Sequence, residues 1–318
     1  MHEVSIVIPN YNGIKFMADC LDALMKQTQE DVEVIVVDNC SKDGSAELVE
    51  NSYPWAKLVR LEENFGFSRA VNEGIRLAEA PYVILLNNDT EVHMDFAAEL
   101  LKGIRKSDDI FSASSKMISF HDRERMDDGG DLYCALGWAF ARGKDKSISQ
   151  YERECDIFAA CAGAAIYRKS IFDEIGYFDE DHFAYLEDID IGYRAKIFGY
   201  RNVYIPTAVV YHVGSGSSGS RHNEFKISLA SRNSIYLVYK NMPLLQIILN
   251  LPFLTAGFAI KTAFFVIKGF GKEYVAGLVK GFSMSEKGKK VTFRWSHFLN
   301  YCRIQLELWG NMVRLINR

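Results

Sequence analysis

The chain of 318 residues lacks the short motifs that mark several common protein classes. None of its six cysteines forms a C-x-x-C pair, and their spacing does not follow a zinc-binding pattern. A Walker motif is missing, and the first apolar run is followed by Asn10-Tyr11-Asn12-Gly13 rather than by a G-x-G-x-x-G or a glycine-rich basic loop. These absences argue against P-loop enzymes, dinucleotide-dependent oxidoreductases and sugar nucleotidylyltransferases.

Long apolar runs are also scarce. No signal peptide precedes the first apolar run, so we expect a reduced cytosolic protein whose cysteines behave as small hydrophobic residues. Residues 244–260 form an uncharged run of 17 residues, interrupted by Gln246, Asn250 and Pro252. A spanning helix needs about 20 apolar residues. The run therefore predicts an interfacial helix with Lys261 and Lys268 directed toward anionic headgroups, or else a helix packed on the rest of the protein.

Charge is distributed unevenly between the two parts of the chain. Residues 240–318 contain 12 Lys or Arg and 3 Asp or Glu, whereas the preceding residues contain 25 and 38. This contrast predicts an acidic body, residues 1–240, and a basic helical tail, residues 241–318, that meets a membrane surface. The apolar content of the tail argues against nucleic acid as its partner.

The first hundred residues alternate between apolar runs and helical patterns. Runs at residues 4–9, 32–37, 57–61 and 82–87 alternate with helical patterns at 14–27, 41–51 and 67–78. Such alternation predicts an α/β fold with a mostly parallel sheet and helices on its faces. Ligands bind at the carboxyl ends of such strands. Asn10, Asp38, Asn64 and Asp89 follow strand ends and should therefore converge on one crevice.

The second half of this body is less regular. Residues 107–160 predict strands and loops on the acceptor side, residues 185–198 a helix and residues 203–213 a strand. The Gly/Ser run at 214–220 should be mobile. We divide the body into a nucleotide-binding half, residues 1–106, and an acceptor half, residues 107–240.

Five short motifs now stand in order: residues 9–12, 37–45, 64–72, 86–89 and 186–190. In this order and spacing they resemble glycosyltransferase family 2, whose members have the Rossmann-like GT-A fold and invert the anomeric configuration. The resemblance covers residues 3–240. It implies that the donor, a nucleotide-diphosphate sugar, is bound by residues of the first four motifs, namely Pro9, Tyr11, Asn12, Asp38, Asn64, Arg69, Asn87 and Asn88.

Asp38 ends an apolar strand and opens a loop of small residues. Its carboxylate could accept a hydrogen bond from the imide N–H of uracil or thymine, and the matching Asp of the family binds the base. A solvent-facing turn residue is the alternative.

Arg69, in the third motif, would offset diphosphate charge, unless it is only a solvated helix residue.

Asp89 is the predicted metal ligand. A divalent cation stabilises the charge that grows on a diphosphate leaving group, and Mg²⁺ often uses only one or two protein carboxylates. The Asp-x-Asp motif of the family reads Asn87-Asn88-Asp89 here, so Asn87 replaces the first carboxylate. His212 matches a second ligand in related members, and mixed ligation would also admit Mn²⁺. A capped turn at Asp89 and a structural histidine are the alternatives.

Asp188 is the predicted catalytic base. Inverting transfer needs one carboxylate to take the proton of the acceptor hydroxyl. The segment Glu187-Asp188-Ile189-Asp190 resembles the Glu-Asp-x-Asp element of the family, so Glu187 would orient the acceptor and Asp190 would cap or pack the helix. An acidic helix start, stabilised by the helix dipole, is the alternative.

Three further residues are predicted on the acceptor side. Gly163 and Ala164 would let a sugar approach the backbone, or else allow close packing. Trp138 would stack on an acceptor sugar, or else lie in the core.

The absence of Gln-x-x-Arg-Trp after the base favours transfer of a single sugar over processive synthesis.

Within the family, residues 161–200, the segment Arg232-Asn233-Ser234 and the basic apolar tail look most like bacterial rhamnosyltransferase-type members. This resemblance implies dTDP-rhamnose as the donor, with other UDP- or dTDP-sugars as candidates, and a glycan or polyprenyl-linked acceptor. A non-catalytic nucleotide-sugar or glycan-binding protein derived from this fold is the alternative. The expected location is cytoplasmic, peripheral on the inner face of the cell membrane.

Overall fold

The computed structural model describes residues 2–214, 223–285 and 289–316. The strands are β1 (Val4–Asn10), β2 (Val32–Asp38), β3 (Lys57–Arg60), β4 (Tyr82–Leu86), β5 (Thr90–Val92), β6 (Ile110–Ser119), β7 (Met126–Asp128), β8 (Asp131–Cys134), β9 (Trp138–Ala141), β10 (Cys155–Ile157), β11 (Ala164–Arg168) and β12 (Arg201–His212). The helices are α1 (Ile14–Leu24), α2 (Ser45–Ser52), α3 (Phe67–Leu77), α4 (Phe96–Ile104), α5 (Phe172–Ile175), α6 (Glu187–Phe198), α7 (Glu224–Asn241), α8 (Leu244–Ile267), α9 (Gly271–Met284) and α10 (Phe298–Ile316). Apart from Gly214, the predicted mobile segment at 214–220 lies outside the described residues.

A central sheet has the strand order β10-β12-β6-β11-β4-β1-β2-β3, with β5 paired to β12 and β7 to β6. Strand β1 runs parallel to β2 and β4, and β2 runs parallel to β3. Strand β11 is antiparallel to β4 and β6. The predicted α/β architecture is confirmed, and the parallel strands β1, β2 and β4 end at one edge of the sheet.

Helices cover both faces of this sheet because its strands are apolar on both sides. In β1, Val4, Ile6 and Ile8 pack toward α1, α2 and α4, whereas Val7 packs toward α3 and α6. The irregular segment contains β6 to β10, including the hairpin formed by β8 and β9. This layered core holds the strand ends in fixed positions.

The tail helices pack against the body. The buried side of α8 carries Gln246, Asn250, Leu254 and Gly257, spaced three or four residues apart, as one helix face requires. Tyr193 of α6 donates a hydrogen bond to Gln246 Oε1 at 2.7 Å. The division that we place between residues 240 and 241 falls at the end of α7.

Lys261 is half-buried against the body, where its ammonium lies over the Trp138 ring and lines a cavity, so its prediction as a headgroup-facing residue is wrong. The reason is helical spacing, because Lys261 lies four residues after the buried Gly257 and therefore faces the body. Among the described residues, α8 is also the helix that is long and apolar enough to cross a membrane, and 22% of its most apolar window is buried.

Candidate active site

A crevice of about 1100 Å³ lies at the carboxyl ends of β1 and β4. Ten of the predicted site residues line it: Pro9, Tyr11, Asn64, Asn87, Asn88, Asp89, Gly163, Glu187, Asp188 and His212. They come from loops widely separated along the chain. The topology brings them together because the strands that precede several of these loops end at the same edge of the sheet.

Asn10 connects three strand ends beneath this crevice. Its side-chain nitrogen donates to Asp38 Oδ1 and Ser45 Oγ, both at 2.8 Å. Its side-chain oxygen accepts a hydrogen bond from Asn88 at 2.8 Å. These buried bonds join the ends of β1, β2 and β4, so the crevice has a rigid floor.

Asp38 lies within this floor rather than on its surface. Its side chain is 3% exposed, and its second oxygen accepts a hydrogen bond from the Ser41 backbone N–H at 3.1 Å. A carboxylate has about four lone-pair positions, so further acceptor capacity remains. Base binding by Asp38 stays a prediction.

The loop after β3 is joined to the same floor. Asn39 donates to Asn64 Oδ1 at 2.9 Å and to the Gly66 carbonyl at 3.1 Å. Gly66 has a φ of +85°, and a Cβ there would lie 2.5 Å from the Phe183 carbonyl oxygen. Only glycine allows this approach, which closes the crevice between the loop after β3 and the loop before α6.

Asp89 and His212 converge at the centre of the crevice. His212 Nε2 lies 3.3 Å from Asp89 Oδ1. On the opposite side of the ring, His212 Nδ1 lies 2.8 Å from Asp127 Oδ2. Asp127, whose other oxygen binds Lys144, thereby fixes the orientation of the histidine.

Burial alone would lower the pKa of His212, but the hydrogen bonds to Asp127 and Asp89 outweigh burial and raise it to about 9. Burial likewise opposes ionisation of Asp127, yet His212 and Lys144 together lower the pKa of this carboxyl. Sequence reasoning missed Asp127 as a functional residue. The adjacent acids at 127 and 128 on a short strand were the available signal.

The donor set fits a divalent cation. Asp89 and His212 direct one oxygen and one nitrogen to the same point, and the Asp127 bond leaves Nε2 as the atom that faces it. Two protein ligands leave positions for diphosphate oxygens, and a mixed oxygen and nitrogen set suits Mn²⁺. Metal binding itself remains a prediction.

A second group of donor atoms comprises Asp128, Asp131 and Cys161, which lie within 4.8 Å of one another. Burial raises the pKa of the Cys161 thiol, and neighbouring acids raise it further. Burial, together with Asp127, raises the pKa of Asp128 to about 7. Mg²⁺ and Mn²⁺ prefer oxygen ligands to a thiol, so this group fits the cation less well than Asp89 and His212 do.

Glu187 and Asp188 begin α6 at the far end of the crevice. The Ala162 backbone N–H donates to Asp188 Oδ2 at 3.3 Å. Burial raises the pKa of both carboxyls, and that of Glu187 is raised further by Asp188. Glu187 Oε2 is buried without a hydrogen-bond partner among the described residues. This arrangement offers a basic carboxylate beside an oxygen that is ready to contact a ligand hydroxyl.

The segment that precedes these acids has an unusual backbone. Phe183, Tyr185 and Leu186 have φ values of +62°, +70° and +69°. Each such conformation costs about 1 to 3 kcal/mol for residues other than glycine, and strain of this kind clusters at functional sites. The backbone here aims Glu187 and Asp188 into the crevice.

Asn233 of α7 supports this strained segment. Its side-chain nitrogen lies 2.9, 2.9 and 2.7 Å from the carbonyl oxygens of His182, Ala184 and Tyr185. Sequence reasoning noticed Asn233 only as part of the resemblance to rhamnosyltransferase-type members. No local pattern reveals its role, because the contact joins residues about 50 positions apart.

Three predicted donor residues lie outside the lining of the crevice: Asp38, which is buried in its floor, Arg69 and Asn12. The Arg69 guanidinium binds Glu180 at 3.2 Å and lies over the Phe65 ring. Asn12 joins two loops, since its backbone N–H donates to Ser41 Oγ and its side-chain oxygen accepts from the Lys42 N–H. Arg69 and Asn12 therefore make contacts that hold parts of the protein together.

Two predicted acceptor residues are also placed elsewhere. Ala164 is fully buried in β11, where its carbonyl accepts a hydrogen bond from Ser115. The Trp138 indole donates to the Gly257 carbonyl at 3.1 Å, so the ring packs against α8. Gly163 does line the crevice, and a Cβ there would lie 3.0 Å from the Asn87 side chain.

Comparison with solved structures shows the fold. The chain aligns with GalNAc-T7, solved with UDP, GalNAc and Mn²⁺, at a TM-score of 0.60 and 18% identity over 75% of this chain and 48% of that one. It aligns with the mannosyltransferase PcManGT of Pyrobaculum calidifontis, solved with GDP-Man and Mn²⁺, at a TM-score of 0.56 and 16% identity over 89% and 88%. The chain thus spans about half the length of GalNAc-T7 and most of PcManGT. Both comparisons support the predicted GT-A fold.

Sequence comparison identifies the family. An N-acetylglucosaminyl-diphospho-decaprenol L-rhamnosyltransferase of Mycobacterium tuberculosis is 26% identical over 265 residues, which cover 72% of this chain and 84% of that protein. The family model described as glycosyl transferase family 2 matches residues 5–176, more than half of the chain. The chain therefore belongs to glycosyltransferase family 2.

Proposed function

We propose that the protein is an inverting, metal-dependent glycosyltransferase that moves one sugar from a nucleotide-diphosphate donor to a glycan or lipid-linked acceptor in cell-surface glycan synthesis. The observation that carries this proposal is the meeting of Asp89, His212 and Asp188 in one crevice. Asp89 and His212 can hold a cation, and Asp188 can act as the proton acceptor. Inverting transfer requires both functions in one site.

The residues divide the reaction between them. Asp38 would bind the base, and Pro9, Tyr11, Asn64, Asn87 and Asn88 would surround the rest of the donor. A cation held by Asp89 and His212 would stabilise the charge that develops on the departing diphosphate. Asp188 accepts the proton of the acceptor hydroxyl while that oxygen bonds to the anomeric carbon, and Glu187 orients the acceptor. The configuration inverts in this single displacement.

The proposed donor is dTDP-rhamnose, with UDP-sugars as the alternative. The support is similarity to a relative whose name specifies rhamnosyl transfer to a diphospho-decaprenol acceptor. Purified protein should hydrolyse or transfer from dTDP-rhamnose faster than from UDP-N-acetylglucosamine when Mn²⁺ is present. Turnover of UDP-sugars without turnover of dTDP-sugars would contradict this donor. Binding without turnover of any donor would favour a non-catalytic sugar-nucleotide-binding protein.

We also propose that residues 241–318 hold the protein on the inner face of the cell membrane. Large apolar side chains are exposed on α8 and α10, for example Leu245, Ile267 and Leu306. The tail is basic as well, so apolar and electrostatic attraction to anionic lipid would act together. In vesicle flotation, the protein should bind phosphatidylglycerol vesicles more tightly than phosphatidylcholine vesicles. Equal failure to bind both would contradict the membrane role.

A further inference from the structure

A second cavity, of about 340 Å³, adjoins the active-site crevice. Tyr185, Glu187 and Asp188 line both spaces, so the predicted base lies between them. The walls of the second cavity also include Asp131 of β8, Ser234 of α7 and Lys261 of α8. The cavity is therefore formed where the catalytic body meets the helices that follow it.

Lys261 is the basic residue of this cavity, and its position on α8 is unusual. Most charged residues at the end of an apolar helix face solvent or lipid headgroups. Lys261 instead follows Gly257 by one turn on the inward face of the helix and is only partly exposed. Lys268, on the same helix, is exposed and provides a natural comparison.

Two contacts fix the ammonium group at this place. Gly257 allows close approach, since a Cβ there would lie 2.2 Å from the Leu136 carbonyl oxygen. The Trp138 indole donates to the Gly257 carbonyl and also lies 5.3 Å beneath Lys261 Nζ. The ring that sequence reasoning assigned to an acceptor sugar therefore positions the lysine.

Lys261 has no carboxylate partner within residues 2–214, 223–285 and 289–316. Burial lowers its pKa to about 8, with a small opposing effect of Cys134. A cation withdrawn from water without a counter-ion costs free energy, and an anion bound beside it would remove that cost. The lysine is thus prepared for a ligand that brings negative charge.

The walls of the second cavity carry both acidic and basic side chains. The acidic side chains of Asp131, Glu187 and Asp188 can accept hydrogen bonds from the hydroxyl groups of a sugar, whereas Lys261 can bind a phosphate. Next to Lys261 in the sequence of α8, Ile260 and Phe264 are 55% and 43% exposed. A sugar joined through phosphate to a lipid carries a matching group for each of these features: hydroxyls, a phosphate and an apolar chain.

Resting on the proposed function, we propose that this second cavity is the acceptor subsite, in which Lys261 binds the diphosphate of a lipid-linked sugar whose hydroxyl faces Asp188. The proposal narrows the acceptor to an anionic glycolipid. It also makes α8 part of the acceptor site as well as a membrane contact.

Binding of geranylgeranyl diphosphate to the full chain tests this proposal. The titration uses a neutral detergent and EDTA, so that neither anionic lipid nor a bound cation contributes. Lys261→Met should weaken binding about ten-fold or more, since hydrogen bonds to charged groups are strong. Lys261→Arg should retain most of the affinity, and the matched control Lys268→Met should stay within about two-fold of the unchanged protein.

Other probes identify the group that is bound. Geranylgeraniol, which lacks the diphosphate, should bind all variants equally. Inorganic pyrophosphate should bind more weakly than the lipid diphosphate, and equal affinity would overturn the lipid-linked acceptor. Unchanged affinity in Lys261→Met, or an equal loss in Lys268→Met, would overturn the assignment of Lys261.

A separate readout distinguishes this proposal from the proposed function. Melting-temperature shifts with dTDP or UDP and Mn²⁺ report on the donor crevice, and Lys261→Met should retain them if it is folded. Absence of these shifts in the unchanged protein would contradict the proposed function. Normal shifts together with normal lipid-diphosphate affinity in Lys261→Met would contradict only the acceptor subsite.

Discussion

Asp188 and Asp190 lie two residues apart on α6 in opposite electrostatic environments. Asp188 is partly exposed to the crevice, and among the described residues it forms no salt bridge with a lysine or arginine. Asp190 is fully buried, where Arg194 and Lys240 bind one oxygen at 2.8 and 2.9 Å and Asn241 binds the other. One helix thus presents an unpaired carboxylate on one side and a neutralised one on the other.

This difference separates a chemical role from a structural one. Burial raises the pKa of Asp188, which makes its carboxylate a better proton acceptor. Burial also opposes ionisation of Asp190, but Arg194 and Lys240 outweigh it and hold the pKa of Asp190 far below its usual range. A carboxylate bound in this way cannot accept a proton at neutral pH. The two acids are therefore not interchangeable, although the Glu-Asp-x-Asp sequence gives them equal prominence.

Asp188→Asn should produce the largest change in activity. The substitution removes the proton acceptor and keeps the shape, so the rate of transfer should fall about 10³-fold while donor nucleotide binding is retained. Its free energy of unfolding should be unchanged or slightly higher, because an unpaired carboxylate is removed from a partly buried position. Steady-state kinetics and the nucleotide-induced shift in melting temperature measure the two effects, and normal turnover would refute the base assignment.

Asp190→Asn should instead reduce stability. It leaves Arg194 and Lys240 with less compensation in a buried site, and breaking such a pair costs about 3 to 5 kcal/mol. Lys240 retains Asp179 at 2.7 Å, so the loss should lie near the lower value. Urea unfolding measures the change. If Asp190→Asn unfolded at the same urea concentration as the unchanged protein, the proposed structural role would be wrong.

His182 should make the Asp190 region sensitive to acid. Its ring is fully buried with neither nitrogen hydrogen-bonded among the described residues, and burial lowers its pKa to about 4. Below the ordinary pKa of about 6.5, the unfolded chain binds a proton that the folded protein does not, so stability is lost as the pH falls. The loss should reach about 2 kcal/mol by about pH 5.

His182→Leu provides the comparison for this effect. The variant lacks the titrating ring, so its stability should fall less than that of the unchanged protein between about pH 7.5 and about pH 5. The carboxyl groups titrate in both His182→Leu and the unchanged protein, so their contributions cancel in the difference between the two unfolding free energies. Identical pH profiles would show that His182 is not held neutral by the fold.

Asn233→Ala should have the smallest effect and should act on the Asp188 side. It removes the donor that holds the carbonyls of the strained segment before α6, so Asp188 should lose its fixed direction. We expect kcat to fall about ten-fold, with little change in the nucleotide-induced shift, since small misplacements of reacting groups are costly. Ser231→Ala on the same helix is a control away from this segment. Equal effects of both variants would show a general loss of packing.

Much of the fold followed from periodicity and strand-end reasoning. Short apolar runs at β1, β2 and β4 indicated buried parallel strands, and their ends indicated where Asn10, Asp38 and Asp89 would lie. The boundaries were less accurate: α1 ends at Leu24 rather than at residue 27, because helix ends depend on local hydrogen bonds. The hairpin formed by β8 and β9 gave too weak a pattern to be resolved.

The site required more than local pattern. Family resemblance identified Asp89, His212 and Asp188, but not Asp127 or Asn233, which act through neighbouring residues distant in sequence. Lys261 was assigned to the membrane because its sequence context is apolar. The contact of Gly257 with Leu136 decides its actual direction, and tertiary approach of this kind has no signature in one sequence.

A melting-temperature screen of nucleotides, with and without Mn²⁺, tests directly whether the crevice binds a nucleotide-diphosphate donor through a cation. Ligands that bind only the folded state raise the melting temperature by mass action. We expect a Mn²⁺-dependent rise with dTDP or UDP, no rise with NAD or ATP, and loss of the Mn²⁺ dependence in His212→Ala. No shift with any pyrimidine diphosphate in the presence of Mn²⁺ would contradict the donor site and the assignments built on it.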